Sequence, residues 1–151
     1  MELHILSLDE ALRHTPKGPT YAIRILSGRD TRDSWVPNQL DAITSDMYLR
    51  QPRYFFDNIC PEFKIEPGDI LFDEEIARKI ITDFQSQRSG CDSLVINCLA
   101  GINRSPAVGI ALSEIFRLGQ DVNALKEKYD KINSHIYSTM HMAAASLGRY
   151  S

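Results

Sequence analysis

Residues 97–106 read Asn-Cys-Leu-Ala-Gly-Ile-Asn-Arg-Ser-Pro, so five residues separate Cys98 from Arg104 and Ser105 follows at once. A thiol and a guanidinium at that spacing point to phosphate chemistry. A short loop running from a strand into a helix N-terminus turns successive backbone N–H groups inward, and the helix dipole adds positive potential at the same place. The residues that would line this cradle are Cys98, Leu99, Ala100, Gly101, Ile102, Asn103 and Arg104. Gly101 permits a left-handed backbone and a close approach. Arg104 supplies a planar fork that grips two phosphate oxygens at once. Pro106 suits the first turn of a helix, where an N–H is dispensable.

The field that binds phosphate also favours thiolate over thiol at Cys98. In-line attack on phosphorus would give a cysteinyl-phosphate, with the equatorial charge held by loop amides and Arg104. Water must then hydrolyse it, and Ser105 is placed to donate a hydrogen bond to the departing sulfur. The bland reading makes Cys98 a core cysteine and Arg104 a surface helix residue. In a background composition, the joint occurrence of Cys, Gly, Arg and Ser at these offsets has a chance of about one in a thousand. That favours the phosphate loop.

Position depends on the elements around the loop. Ser93 to Asn97 reads as a brief apolar strand, and from Arg104 onward Ala107, Val108, Ala111, Leu112, Ile115 and Phe116 repeat at helical spacing until Gly119. Upstream, Asp73 caps a helix with Ile76, Ile80, Ile81 and Phe84 on one face, Glu74 and Glu75 at its positive end, and Ser89-Gly90 as its stop. Glu2 to Ser7 and Tyr21 to Leu26 read as strands, with a helical turn or two over Leu8 to His14. Residues 28–41 read as an exposed connection, and Ala42 to Thr44 and Arg53 to Phe56 as weaker strands. Asn123 to Lys131 and His135 to Leu147 read as two further helices, the last capped by Ser134. Strands alternating with helices predict an α/β fold, a central, mainly parallel sheet flanked by helices, with its site beyond the carboxyl ends of the strands. The loop after Asn97 lies there.

Cys98 to Ser105 resembles the signature loop of the cysteine-dependent protein tyrosine and dual-specificity phosphatases. The order of elements from about Tyr21 onward is similar as well, and the length resembles that of the smallest dual-specificity members. The resemblance implies a phosphatase-like domain over residues 1–151, a phosphocysteine intermediate and no cofactor. It implies hydrolysis of phosphotyrosine, or of phosphoserine and phosphothreonine too. One position departs from the pattern: the family usually carries histidine immediately before the nucleophile, and this chain has Asn97. Asparagine brings no positive charge, so weaker activation of the thiol is expected. The alternative reading is a catalytically weak or inactive module that binds phosphorylated partners. A Cys-x5-Arg loop also serves arsenate reductases, but near the N-terminus rather than at residue 98.

The leaving oxygen needs a proton, which the family takes from an aspartate on a mobile loop upstream of the signature. Asp57 is the residue so placed, after the strand-like Arg53 to Phe56 and before the Asp73 helix. Asp69, in Pro67-Gly68-Asp69, is the rival. Cys60 and Cys91 are read as inert thiols, and Trp35 and Tyr48 as packing aromatics.

Composition bounds the rest. A net charge of −3 and a pI near 5.8 give no general attraction to nucleic acid, so phosphate must be bound by a local arrangement of donors. No apolar run approaches the length that spans a bilayer, and Glu2 and Asp9 stand where a signal peptide would be basic and then apolar. A cytoplasmic monomer with no nucleic-acid or membrane partner is expected, acting on a phosphorylated protein or another phosphomonoester. The scattered histidines and three dispersed cysteines predict neither a metal site nor a disulfide framework.

Overall fold

The computed structural model describes residues 1–149. Among them are five strands, β1 (Glu2–Leu6), β2 (Thr20–Leu26), β3 (Tyr48–Arg50), β4 (Arg53–Phe55) and β5 (Ser93–Asn97). The helices are α1 (Leu8–Arg13), α2 (Trp35–Asp41), α3 (Glu74–Gln87), α4 (Arg104–Phe116), α5 (Val122–Lys128) and α6 (Ser134–Ser146). The strands form one sheet in the order β1-β5-β2, and every pairing is parallel. The outer edge of β2 is covered in two stretches, by β3 beside Thr20–Tyr21 and by β4 beside Arg24–Leu26. Between them lies Gln51-Pro52, where proline has no N–H to give the ladder.

Each residue of β2 and β5 is buried, as expected of central strands covered on both faces. Alternation divides them between two layers. Tyr21, Ile23, Ile25, Leu94 and Ile96 pack into the main core with residues of α3, α4 and α6. Ala22 and Val95 join Tyr48 on the other face, and Leu26 meets Leu8 of α1 and Leu40 of α2. In the main core Phe84 stands edge-on to both Tyr21 and Phe116, at 5.2 and 4.9 Å between centroids. Such pairs add about 0.5–1.5 kcal/mol each beyond the area they bury. Almost every residue of α4 is buried, so this helix passes through the interior with its N-terminus at the end of β5.

Four elements differ from the sequence expectation. The connection over 28–41 contains α2: Pro37 sits in its first turn, where no intrahelical N–H is required, while Val36 and Leu40 face the α1 side. Ala42 to Thr44 is not a strand. Ala42 caps α2, and β3 begins at Tyr48. The cap of α6 is Asn133, whose Oδ1 accepts from Ile136 N at 3.0 Å, and Ser134 is the first helical residue. α5 starts one residue early and stops at Lys128, capped by Asp121.

Candidate active site

β5 lies at the centre of the sheet, so the loop that follows it emerges at the middle of the carboxyl edge. Its carbonyls turn outward. Leu99 O accepts from Leu8 N at 3.0 Å, Asn103 O accepts from Asn133 N at 3.1 Å, and Asn103 Nδ2 donates to Lys131 O. On the inner side of the loop, Gly101 N donates to Cys98 Sγ at 3.2 Å. Asn103 precedes α4 but makes no side-chain bond to its first turn. The positive end of that helix therefore has no side-chain cap of its own at Asn103.

Cys98 is buried, and its sulfur lies 3.2 Å from Ser105 Oγ. That hydroxyl is also 3.4 Å from Leu6 O. It has one proton, so it can donate to the carbonyl while sulfur is a thiol, or to sulfur when sulfur is a thiolate. At Cys91, burial pushes the thiol up, which leaves it a poor nucleophile. Cys60, Cys91 and Cys98 are all free thiols.

Arg104 is buried too, with Nη1 donating to Phe56 O at 2.9 Å. The bond fixes the guanidinium plane and ties the first residue of α4 to the end of β4. The next residue after Phe56 is Asp57. Its Oδ2 accepts from Gly28 N at 3.0 Å and from Ile70 N at 2.8 Å, pinning two loops together at the residue next to the Arg104 anchor. Asp69 is otherwise engaged: Oδ2 accepts from Glu66 N at 3.0 Å within a turn, and Oδ1 pairs with Arg29 at 3.2 Å. Asn58 Oδ1 and Ile59 O both accept from Asn133 Nδ2, so one residue at the head of α6 secures the loop after Asp57 and the Cys98–Arg104 loop alike.

Gly101 has φ +73°, and a Cβ there would stand 2.6 Å from Ser7 N and 2.9 Å from Leu6 C. The loop thus lies flush on the β1–α1 junction. Gly101→Ala is expected to cost on the order of 2–3 kcal/mol, from the left-handed backbone and a clash with main chain that cannot swing away. A thermal melt that falls by several degrees checks this.

Leu99 and Ile102 are about half exposed, at 48% and 49%, and offer apolar contact at the loop's outer surface. A cavity of about 440 Å³ lies behind the loop, between Ala100-Gly101, His4, Lys128 and Tyr129. Neither Cys98 nor Arg104 lines it, so it is not the place where these two groups could act together. Trp35, read as a packing aromatic, is 62% exposed, whereas Tyr48 is buried.

The sequence reading passed over one residue. Arg24 is buried in the middle of β2, directly across from Asn97 of β5, and its Nη1 donates to Asn97 Oδ1 at 3.1 Å. Its signal was a lone charge in the otherwise apolar run Tyr-Ala-Ile-Arg-Ile-Leu.

No family model matches the chain, and no curated sequence does. Among solved structures, the crystal structure of Tk-PTP in the active form is similar in fold, with a TM-score of 0.51 and 14% sequence identity. The match covers 95% of this chain and 90% of that one. The likeness spans the parallel sheet and its helices, and with it the expected architecture is found: the chain has a protein tyrosine phosphatase-like α/β fold.

Proposed function

We propose that this chain is a phosphoric monoester hydrolase of the cysteine-dependent tyrosine or dual-specificity type. The observation that carries the reading is the sulfur of Cys98, held by the Gly101 amide and facing the Ser105 hydroxyl within a loop closed by Arg104. Cys98 thiolate attacks phosphorus as the ester P–O bond breaks, and the leaving oxygen takes its proton from Asp57. Oδ2 of Asp57 is clamped by two amides, which leaves Oδ1 to carry that proton. In the second step water attacks phosphorus and gives a proton back to Asp57. The P–S bond then breaks, orthophosphate departs, and Ser105 donates to the regenerated thiolate. The engaged oxygens of Asp69 favour Asp57 as the acid.

The first test is hydrolysis of a generic aryl phosphate by the parent protein. Turnover with accumulation of phosphate on Cys98 supports the hydrolase, while tight phosphate binding without turnover supports the phosphate-binding module instead. Asp57→Asn separates the acid from the clamp, because the amide oxygen of asparagine can still accept from Gly28 N and Ile70 N. Hydrolysis of esters with basic leaving groups is expected to slow by about 100-fold or more, with acidic phenols scarcely affected. Equal losses for both kinds of ester would remove Asp57 from the proton transfer.

A further inference from the structure

Arg24 is a buried cation, 1% exposed, and among the described residues no carboxylate forms an ion pair with it. Nη1 donates to Asn97 Oδ1, while Nε and Nη2 both donate to Gln51 Oε1, at 3.3 and 3.0 Å. The guanidinium lies over the Tyr48 ring, 4.8 Å from its centroid. Neutral oxygens and a π-face solvate the charge without cancelling it. Burial pulls the guanidinium down from its ordinary value, yet that value is so high that Arg24 stays charged at any physiological pH. An uncancelled charge inside a core costs stability, and natural chains depart from good packing rules mostly where function requires it.

The charge is connected to the phosphate loop. Arginine has only donors, so Asn97 must turn its oxygen to Arg24 and its Nδ2 the other way, where it reaches Cys98 O at 3.4 Å. We infer that Arg24 is a positioning residue for the nucleophile: it supplies, through Asn97, the positive charge at the root of the loop that Asn97 itself lacks. This rests on the reading of Cys98 as nucleophile. Arg24 holds the Cys98 carbonyl back through Asn97, and its field favours the Cys98 thiolate from the α1 side of the sheet. Arg104 acts on the thiolate from α4, and Asp57, beyond β4, opposes both. Around Arg24 itself stand Tyr48 from β3, Arg53 from β4 and His14 from the end of α1.

Gln51→Glu neutralises the cation without touching Asn97 or the loop, since a carboxylate oxygen can accept the same two bonds. Arg24→Met removes the charge and keeps much of the bulk. The readout is the pH midpoint of Cys98 alkylation by iodoacetamide, with aryl phosphate turnover of the parent measured separately. Both variants are expected to raise the midpoint by about one pH unit, so alkylation one unit below the parent's midpoint slows roughly tenfold. The displacement should persist in high salt, because a buried charge is poorly screened. Folded variants with the parent's midpoint would overturn the inference. So would a shift in Arg24→Met that Gln51→Glu does not share, since that indicates shape rather than charge. If Arg24→Met does not fold, Gln51→Glu decides alone. A parent that hydrolyses aryl phosphate with unshifted variants defeats only the role of Arg24. Shifted midpoints in a chain without turnover defeat the hydrolase reading and leave the charge assignment standing.

Discussion

Cys98→Ser is expected to reduce turnover by about 10⁵-fold or more while the protein stays folded and continues to bind phosphate or sulfate. Serine fits the site. It is smaller than cysteine, its Oγ can still accept from Gly101 N and bond Ser105, and the outward carbonyl anchors at Leu99 and Asn103 do not involve this side chain. What it lacks is the anion. A hydroxyl is intrinsically far less acidic than a thiol, so the variant is expected to keep the loop and lose the nucleophile. The check pairs steady-state hydrolysis of an aryl phosphate with calorimetric binding of phosphate. Multiple turnovers by the folded variant would place the nucleophile elsewhere.

Arg104→Lys is expected to slow turnover by about 10²–10³-fold and to weaken phosphate binding, although the formal charge is unchanged. Two geometric functions are lost together. Lysine cannot present two parallel N–H bonds to phosphate oxygens, and an ammonium that reaches for phosphate no longer holds Phe56 O, the bond that ties α4 to the end of β4. Because Asp57 follows Phe56, the acid should be displaced as well. The dependence of the rate on the leaving group should therefore steepen in the Arg104→Lys protein, with basic leaving groups slowed more than acidic phenols, which separates this variant from one in which only the phosphate grip is weakened. Kinetics equal to the parent's on both kinds of ester would exclude Arg104 from the phosphate site.

The Cys98, Gly101, Arg104 and Ser105 spacing was legible because the site is local: one loop holds all four, and a strand and a helix of unmistakable period flank it. The same locality made β5, α3 and α4 readable, since each carries its own pattern of apolar residues, caps and stops. Elements whose identity depends on distant partners were not readable. α2 looked like a loop because Pro37 and polar neighbours hid two residues, Val36 and Leu40, that matter only against Leu8 and Leu26. β3 is three residues long and exists because β2 presents an edge to it.

For the site, the sequence was enough to propose Cys98 as nucleophile, Arg104 and the loop between them, and to narrow the proposed acid to Asp57 or Asp69. Tertiary structure alone decided between their environments: Asp57 bonds amides 29 and 13 residues away, beside the Arg104 anchor, whereas Asp69 closes a turn. It alone brought Arg24 to Asn97, 73 residues apart, and Gln51 to Arg24. Local chemistry can be read from spacing along the chain. A buried charge acts on whatever folding places within a few ångströms of it, and that neighbourhood is set by strand register and sheet order, which spacing does not encode.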